Sequence, residues 1–172
     1  MIVGAAHFFE MCSTMTSFLI LSGAFVMTTA QRKIRFENCT EGGESIQSFV
    51  VTPCSSDPCV VPIGSGINIS FELISSMQHF VPGIADQDSV NLRLDPRVQL
   101  LTIELPIPGV ERDACKLTNT ACPVSEGQLV RGTVPVHVYS FLPPMTVVTI
   151  WRVYGDKGLM ACGTTNVTIS RI

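Results

Sequence analysis

Seven cysteines occur in 172 residues, and their position relative to an amino-terminal apolar run constrains the fold more than any other feature. Residues 15–27 (MTSFLILSGAFVM) are uncharged and almost wholly apolar, yet too few to span a bilayer. The small residues Thr28, Thr29 and Ala30 follow, and the chain then turns polar and basic at Gln31, Arg32 and Lys33. This is the pattern of a signal peptide over residues 1–30. The segment before the apolar run lacks Lys and Arg and carries His7 and Glu10, so starts at Met1, Met11 and Met15 stay open, as does a retained amphipathic anchor. Removing the leader takes Cys12 with it. The six cysteines left are an even set, which in an exported chain reads as a disulfide framework.

Six cysteines allow about fifteen pairings. Local spacing narrows them, because Cys54 and Cys59 bracket a Ser-Ser-Asp-Pro turn and Cys115 and Cys122 bracket a second polar loop. Each of these pairs is expected to staple a hairpin-like loop. Cys39 and Cys162 remain, tying the first strand to the last hairpin. In the chain-entropy model so long a loop contributes roughly 4–5 kcal/mol. Zinc is the other use of such residues, but no CxxC pair is present, and His79 and His137 lack ligand spacing. No metal and no cofactor is expected.

Residues 31–172 have the usual size of one domain, with enough chain for a sizeable apolar core. Eleven Lys and Arg stand against fourteen Asp and Glu, of which Glu10 leaves with the leader. That balance carries no footprint for nucleic acid. The basic cluster Arg32, Lys33 and Arg35 reads as a solvated end. From residue 67 to 73, Ile67, Ile69, Phe71 and Leu73 alternate with Asn68, Ser70 and Glu72, which gives a strand one dry face and one wet face. Thr165, Val167 and Ile169 alternate in the same way with Asn166, Thr168 and Ser170. β-Branched runs occupy residues 98–105, 130–139 and 145–154, separated by Gly, Pro, Asn and Asp. No segment of helical length carries a capped 3.6-residue period, so the pattern predicts an all-β sandwich.

Two further features bear on the faces of these strands. Asn68-Ile69-Ser70 and Asn166-Val167-Thr168 are glycan acceptor triplets with the asparagine on the polar side, so Asn68 and Asn166 are expected to carry sugar. Asn38-Cys39-Thr40 is a weaker triplet, because a disulfide at Cys39 would pin the chain there. Residues 145–154 are apolar on both faces, with Val147, Trp151 and Val153 on one and Val148, Ile150 and Tyr154 on the other. A sandwich strand usually keeps one polar face. The surplus calls for a covered outer face or a pocket between the sheets.

Taken in order, Cys39, Pro53-Cys54 with four residues to Cys59, Pro106-Ile107-Pro108 leading to Cys115, Cys122-Pro123 and a late Cys162 resemble the MD-2-related lipid-recognition (ML) family. Residues 107–115 (IPGVERDAC) and the Tyr154-Gly155-Asp156-Lys157-Gly158 turn before Leu159-Met160-Ala161-Cys162 are similar to its group 2 mite allergens. Asn68-Ile69-Ser70-Phe71 is similar to the glycosylated strand of its Niemann-Pick type C2 sterol carriers. The likeness covers residues 34–170. This chain departs from it by a longer segment around residues 79–88 (HFVPGIADQD), expected to form an extended strand connection or a flap over a cavity mouth.

The resemblance implies an immunoglobulin-like β-sandwich of two antiparallel sheets with a lipid cavity between them and three disulfides. Position by position, the aromatic that precedes Pro-Ile-Pro at the carriers' pocket entrance is Leu105 here, with Ile107 beside it. The entrance valine that follows a proline is Val136, and the tyrosine that precedes a proline is Leu142. Phe71 and Trp151 complete the expected lipid-binding set. Leucine in place of two aromatics implies a wider opening that stacks poorly on flat rings, so an acyl chain is expected as readily as a sterol.

Catalysis has little to stand on. A nucleophile needs a base within hydrogen-bond reach, and residues 31–172 offer only His79 and His137, one in a loop and one amid strand residues. Ser65 between Gly64 and Gly66 reads as a tight turn, and Asp86 with Asp88 lack the further oxygen ligands of a calcium loop. With the leader, the resemblance implies a secreted, monomeric lipid-binding and transfer protein. It would take a sterol or fatty acid and deliver it to a membrane or receptor acceptor, in extracellular fluid or the lysosomal lumen. The alternative is a lipid-dependent adaptor or innate immune recognition protein that acts through a receptor.

Overall fold

The computed structural model describes residues 34–43, 46–75 and 90–171. The leader, Arg32 and Lys33, His79 and the segment 79–88 with its expected flap lie outside these residues. Ten elements run β1 (Glu37–Asn38), β2 (Ile46–Thr52), β3 (Cys59–Pro62), β4 (Gly66–Ile74), β5 (Arg93–Leu100), β6 (Ile103–Pro106), α1 (Ala114–Leu117), β7 (Leu129–His137), β8 (Met145–Gly155) and β9 (Gly158–Ser170). They form the expected sandwich. One sheet has the order β2-β4-β7, and the other runs β1-β9-β8-β5-β6 with β3 also on β9. Pairing is antiparallel throughout except where β3 lies parallel to β9. Among the described residues no helix is long and apolar enough to cross a membrane.

The alternation read from the sequence is the reason for the layering. In β4, Ile67, Ile69, Phe71 and Leu73 are buried while Asn68 is exposed, and in β9, Thr165, Val167 and Ile169 are buried while Asn166 is exposed. A period of two leaves each strand one apolar face, and both sheets turn that face inward. The three disulfides join Cys39 to Cys162, Cys54 to Cys59 and Cys115 to Cys122. The two local pairs do not staple hairpins. Cys54 and Cys59 bracket the passage from β2 in one sheet to β3 in the other, and Cys115 and Cys122 lie in the passage from β6 to β7. Loop length alone does not tell a hairpin from a crossing between layers.

Residues 98–105 also depart from expectation, because they are not one strand. The chain reverses at Leu101 and Thr102, so that Leu100 pairs with Ile103 and β6 folds back on β5. Leu101 adopts φ 57°, a left-handed conformation that disfavours non-glycine residues by about 1–2 kcal/mol. The run VQLLTIEL contains none of the usual turn formers. Here the ladders of β5 to β8 and β6 override local propensity.

Candidate functional site

The two ends of the sandwich differ in how they are filled. At one end Leu73, Leu94, Val124 and Val130 are fully buried, and the Phe71 ring lies over Gly132, where an added Cβ would meet it at 2.5 Å. At the other end the facing residues are mainly Val and Ile: Val51, Ile67 and Ile69 from one sheet, and Val147, Val167 and Ile169 from the other. Short branched side chains leave the space between two sheets about 10 Å apart incompletely filled. The result is an apolar cavity of about 250 Å³.

Aromatic rings close its inner end. Phe36 stacks on Phe49 with centroids 4.7 Å apart, and Phe49 meets Trp151 at 5.8 Å. Gly163 makes this possible, because the Phe36 ring occupies the space a side chain there would need. The polar groups at this end bond to one another or to backbone. Trp151 Nε1 donates to Thr149 Oγ1 at 3.0 Å, Thr149 donates to the Thr165 carbonyl at 3.2 Å, and Thr165 Oγ1 donates to the Arg35 carbonyl at 2.9 Å. A ligand that enters this far meets hydrocarbon and already-bonded polar groups.

The mouth lies between the β5–β6 hairpin with its exit segment and the loop from β7 to β8. Leu105, Ile107, Tyr139, Phe141 and Leu142 line it. His137, Tyr139 and Phe141 form a ladder of rings, with centroids 5.2 Å apart for the first pair and 5.4 Å for the second. Thus Leu105, Ile107, Val136, Leu142 and Trp151 are brought together on one cavity. Phe71 is not among its walls, since it packs at the filled end.

Sequence reasoning missed Phe49, Val51, Tyr139 and Phe141. In β2 a register irregularity between Ile46 and Ser48 breaks the alternation that would have marked Phe49 and Val51 as inward. Tyr139 and Phe141 lie past the end of β7 at positions whose parity is the outward one within the strand, so its alternation gives no sign that they line the cavity.

On the outer face of the larger sheet, the Arg152 side chain is only 7% exposed. It donates to both carboxylate oxygens of Glu41 at 2.7 and 2.9 Å, and to both of Glu104 at 2.8 and 3.0 Å. The hydrogen bond from Arg152 holds the Glu104 carboxyl below its ordinary value, and the two carboxylates raise the affinity of Arg152 for its proton. Two-sided pairing of this kind satisfies an arginine that has lost most of its water. It also fastens β6, which carries Leu105 at the mouth, to the arm that carries Cys39 and Phe36. A shallow groove on the outer face of the three-stranded sheet has polar walls already paired with each other, Ser70 with Thr133 and Glu72 with Arg131. Among the described residues no cluster of three or more His, Cys, Asp or Glu could hold a metal ion.

Known proteins agree with this architecture. A Niemann-Pick type C2 protein from the Japanese carpenter ant superposes with a TM-score of 0.64, at 20% identity over 79% of this chain and 99% of the other. The mite group 2 allergen Tyr p 2 of Tyrophagus putrescentiae is 30% identical over 88% of this chain and 97% of its own. The NPC intracellular cholesterol transporter 2 of Mus musculus is 25% identical over 80% of this chain and 85% of its own. The family model described as ML domain matches residues 33–169, and the chain therefore belongs to the ML domain family.

Proposed function

We propose that this protein is an exported lipid carrier that holds one hydrocarbon-rich ligand between its sheets, with the ligand's polar end at the mouth. The observation that carries this reading is the apolar cavity whose inner polar groups are already bonded. A polar head buried there would lose its water without a partner, whereas at the mouth it keeps solvent and the edges of His137 and Tyr139. Leu105 and Leu142 offer contact area without a flat face, while the rings of Tyr139 and Phe141 beside them supply flat faces, so the mouth takes in single acyl chains as well as sterols. No catalytic step belongs to this reading.

Trp151 is the only tryptophan of the chain and lines the cavity, so its fluorescence reports occupancy. Titration with a brominated fatty acid should quench it to saturation at one ligand per chain. Val136→Phe, which fills the cavity from its half-buried wall position, should weaken binding by about tenfold or more, or 1.4 kcal/mol, with little change in melting temperature. Absence of quenching would sink the carrier reading. Unfolding of the variant with binding unchanged per folded molecule would return Val136 to the core.

Export belongs to the same proposal. Cleavage before Gln31 removes Cys12, and Asn68 and Asn166, both exposed on their strands, carry glycans. The mass of protein from a eukaryotic secretory pathway, measured before and after deglycosylation, should show a chain starting near Gln31 and sugar on both asparagines. A product that keeps Cys12, or that bears no sugar on Asn68, contradicts it.

A further inference from the structure

The described walls of the cavity mouth carry no charged side chain. No Lys, Arg, Asp or Glu lies in residues 59–71, 98–103, 105–110 or 132–151, and Glu104 turns to the outer face, where Arg152 holds it. Within this rim stands one imidazole. His137 ends β7, is exposed, and lines the cavity together with Tyr139. Packing sets its position. The Tyr139 hydroxyl lies over Gly109, where an added Cβ would meet it at 2.8 Å, and the Phe141 ring stacks on Tyr139 at 5.4 Å. His137 meets that wedged Tyr139 ring in a T-shaped pair at 5.2 Å. Its neighbour across the sheet on β4 is Gly66, which has no side chain to cover it or pair with it. Among the described residues, Tyr139 is therefore the titratable group that faces His137, and no carboxylate of the protein competes for the imidazole.

The shape of the mouth admits acyl chains and sterols alike, so the head group is where they can be told apart. A ligand whose polar end sits at this rim finds one group there that can become cationic. A neutral head gains little from it, whereas a carboxylate accepts a charge-assisted hydrogen bond from a protonated imidazole. We infer that His137 selects long-chain carboxylic acids over their esters and over sterols, and that the selection strengthens as the pH falls from about 8 to about 6. Over that range a carboxylate stays ionised while an imidazole gains its proton. The attraction is thus present at the acid end and lost at the alkaline end. A free fatty acid would be held more firmly in a mildly acidic compartment than in a neutral one.

The inference rests on the carrier reading and names its ligand class, and the two fail differently. Dibromostearic acid and its methyl ester share one hydrocarbon chain and differ in the charge of the head. Each is titrated into the full exported chain, with quenching of Trp151 as the readout. The ratio of acid affinity to ester affinity should rise by about threefold to fivefold between about pH 8 and pH 6, as fits an ion pair in contact with solvent. His137→Gln takes up no proton, and its ratio should stay at the parent's alkaline value throughout. His137→Arg is charged at every pH tested, and its ratio should stay at or above the parent's acid value. A rise that persists in His137→Gln overturns the inference. If both probes quench but their ratio does not change with pH in the parent, the carrier reading stands and selection by His137 falls. If neither probe quenches Trp151, the carrier reading falls and the inference falls with it.

Discussion

Replacing Cys39 and Cys162 together by serine should lower folding stability by about 5 kcal/mol, against about 2 kcal/mol for the same change at Cys54 and Cys59. The first pair closes a loop with a sequence separation of 123 and the second one of 5, and the entropy removed from the unfolded chain grows with the logarithm of that length. Native-state contacts sharpen the contrast. β1 has only two residues paired to β9, at Glu37 with Thr164 and Asn38 with Gly163, so the disulfide shares with the Arg152–Glu41 pair and the Thr165–Arg35 hydrogen bond the holding of this arm in register. With the arm go Phe36, which stacks on the cavity-lining Phe49, and Glu41 on Arg152. The long-loop variant should therefore lose fatty acid binding as well as stability. Denaturant unfolding of the two double-serine proteins beside the parent decides it. Equal losses for the two pairs would mean that loop length is not what makes the Cys39–Cys162 bond matter.

A single methyl group at Gly163 should destabilise the protein by about 2–4 kcal/mol, combining overpacking with loss of an aromatic pair. Gly163 lies opposite Trp151 in the β8–β9 ladder, and a side chain there would fall inside the Phe36 ring. Phe36 cannot move deeper because Phe49 stacks on it and Trp151 backs Phe49. The ring must instead swing out and open the inner end of the cavity to water. Gly66→Ala is the matched control, since an added Cβ there meets nothing within 4 Å. It should shift the melting temperature little. Thermal unfolding and Trp151 quenching of both variants give the comparison, and a Gly163→Ala protein as stable as the Gly66→Ala protein would mean that the Phe36 ring is not packed over Gly163.

Much of this fold was written in short stretches of the chain. The alternation at residues 67–73 and 165–169 determined strands with one dry face, because a period of two is a local property of extended backbone. The same alternation put Asn68 and Asn166 on the wet side. Cysteine spacing pointed to the two local disulfides and, by remainder, to the long one. Leu105, Ile107, Val136, Leu142 and Trp151 were legible as a group through the resemblance to known carriers.

Other features are absent from any local pattern. Periodicity shows which side of a strand is dry but not which end of the sandwich is full, so Phe71 and Ile69, two positions apart on one face, came out on opposite sides of that division. The irregularity in β2 hid Phe49 and Val51, and the reversal at Leu101 turned one apolar run into the hairpin that bounds the cavity. Arg152 reads as an ordinary strand residue until Glu41 and Glu104, 111 and 48 positions away, close on it. The sequence by itself determined the strands, their faces and the cross-links, because each follows from residues close together in the chain or from cysteine chemistry. Only the tertiary structure decided where the sheets separate, what closes the floor and what is exposed at the rim, because those depend on the register of strands that are far apart in the chain.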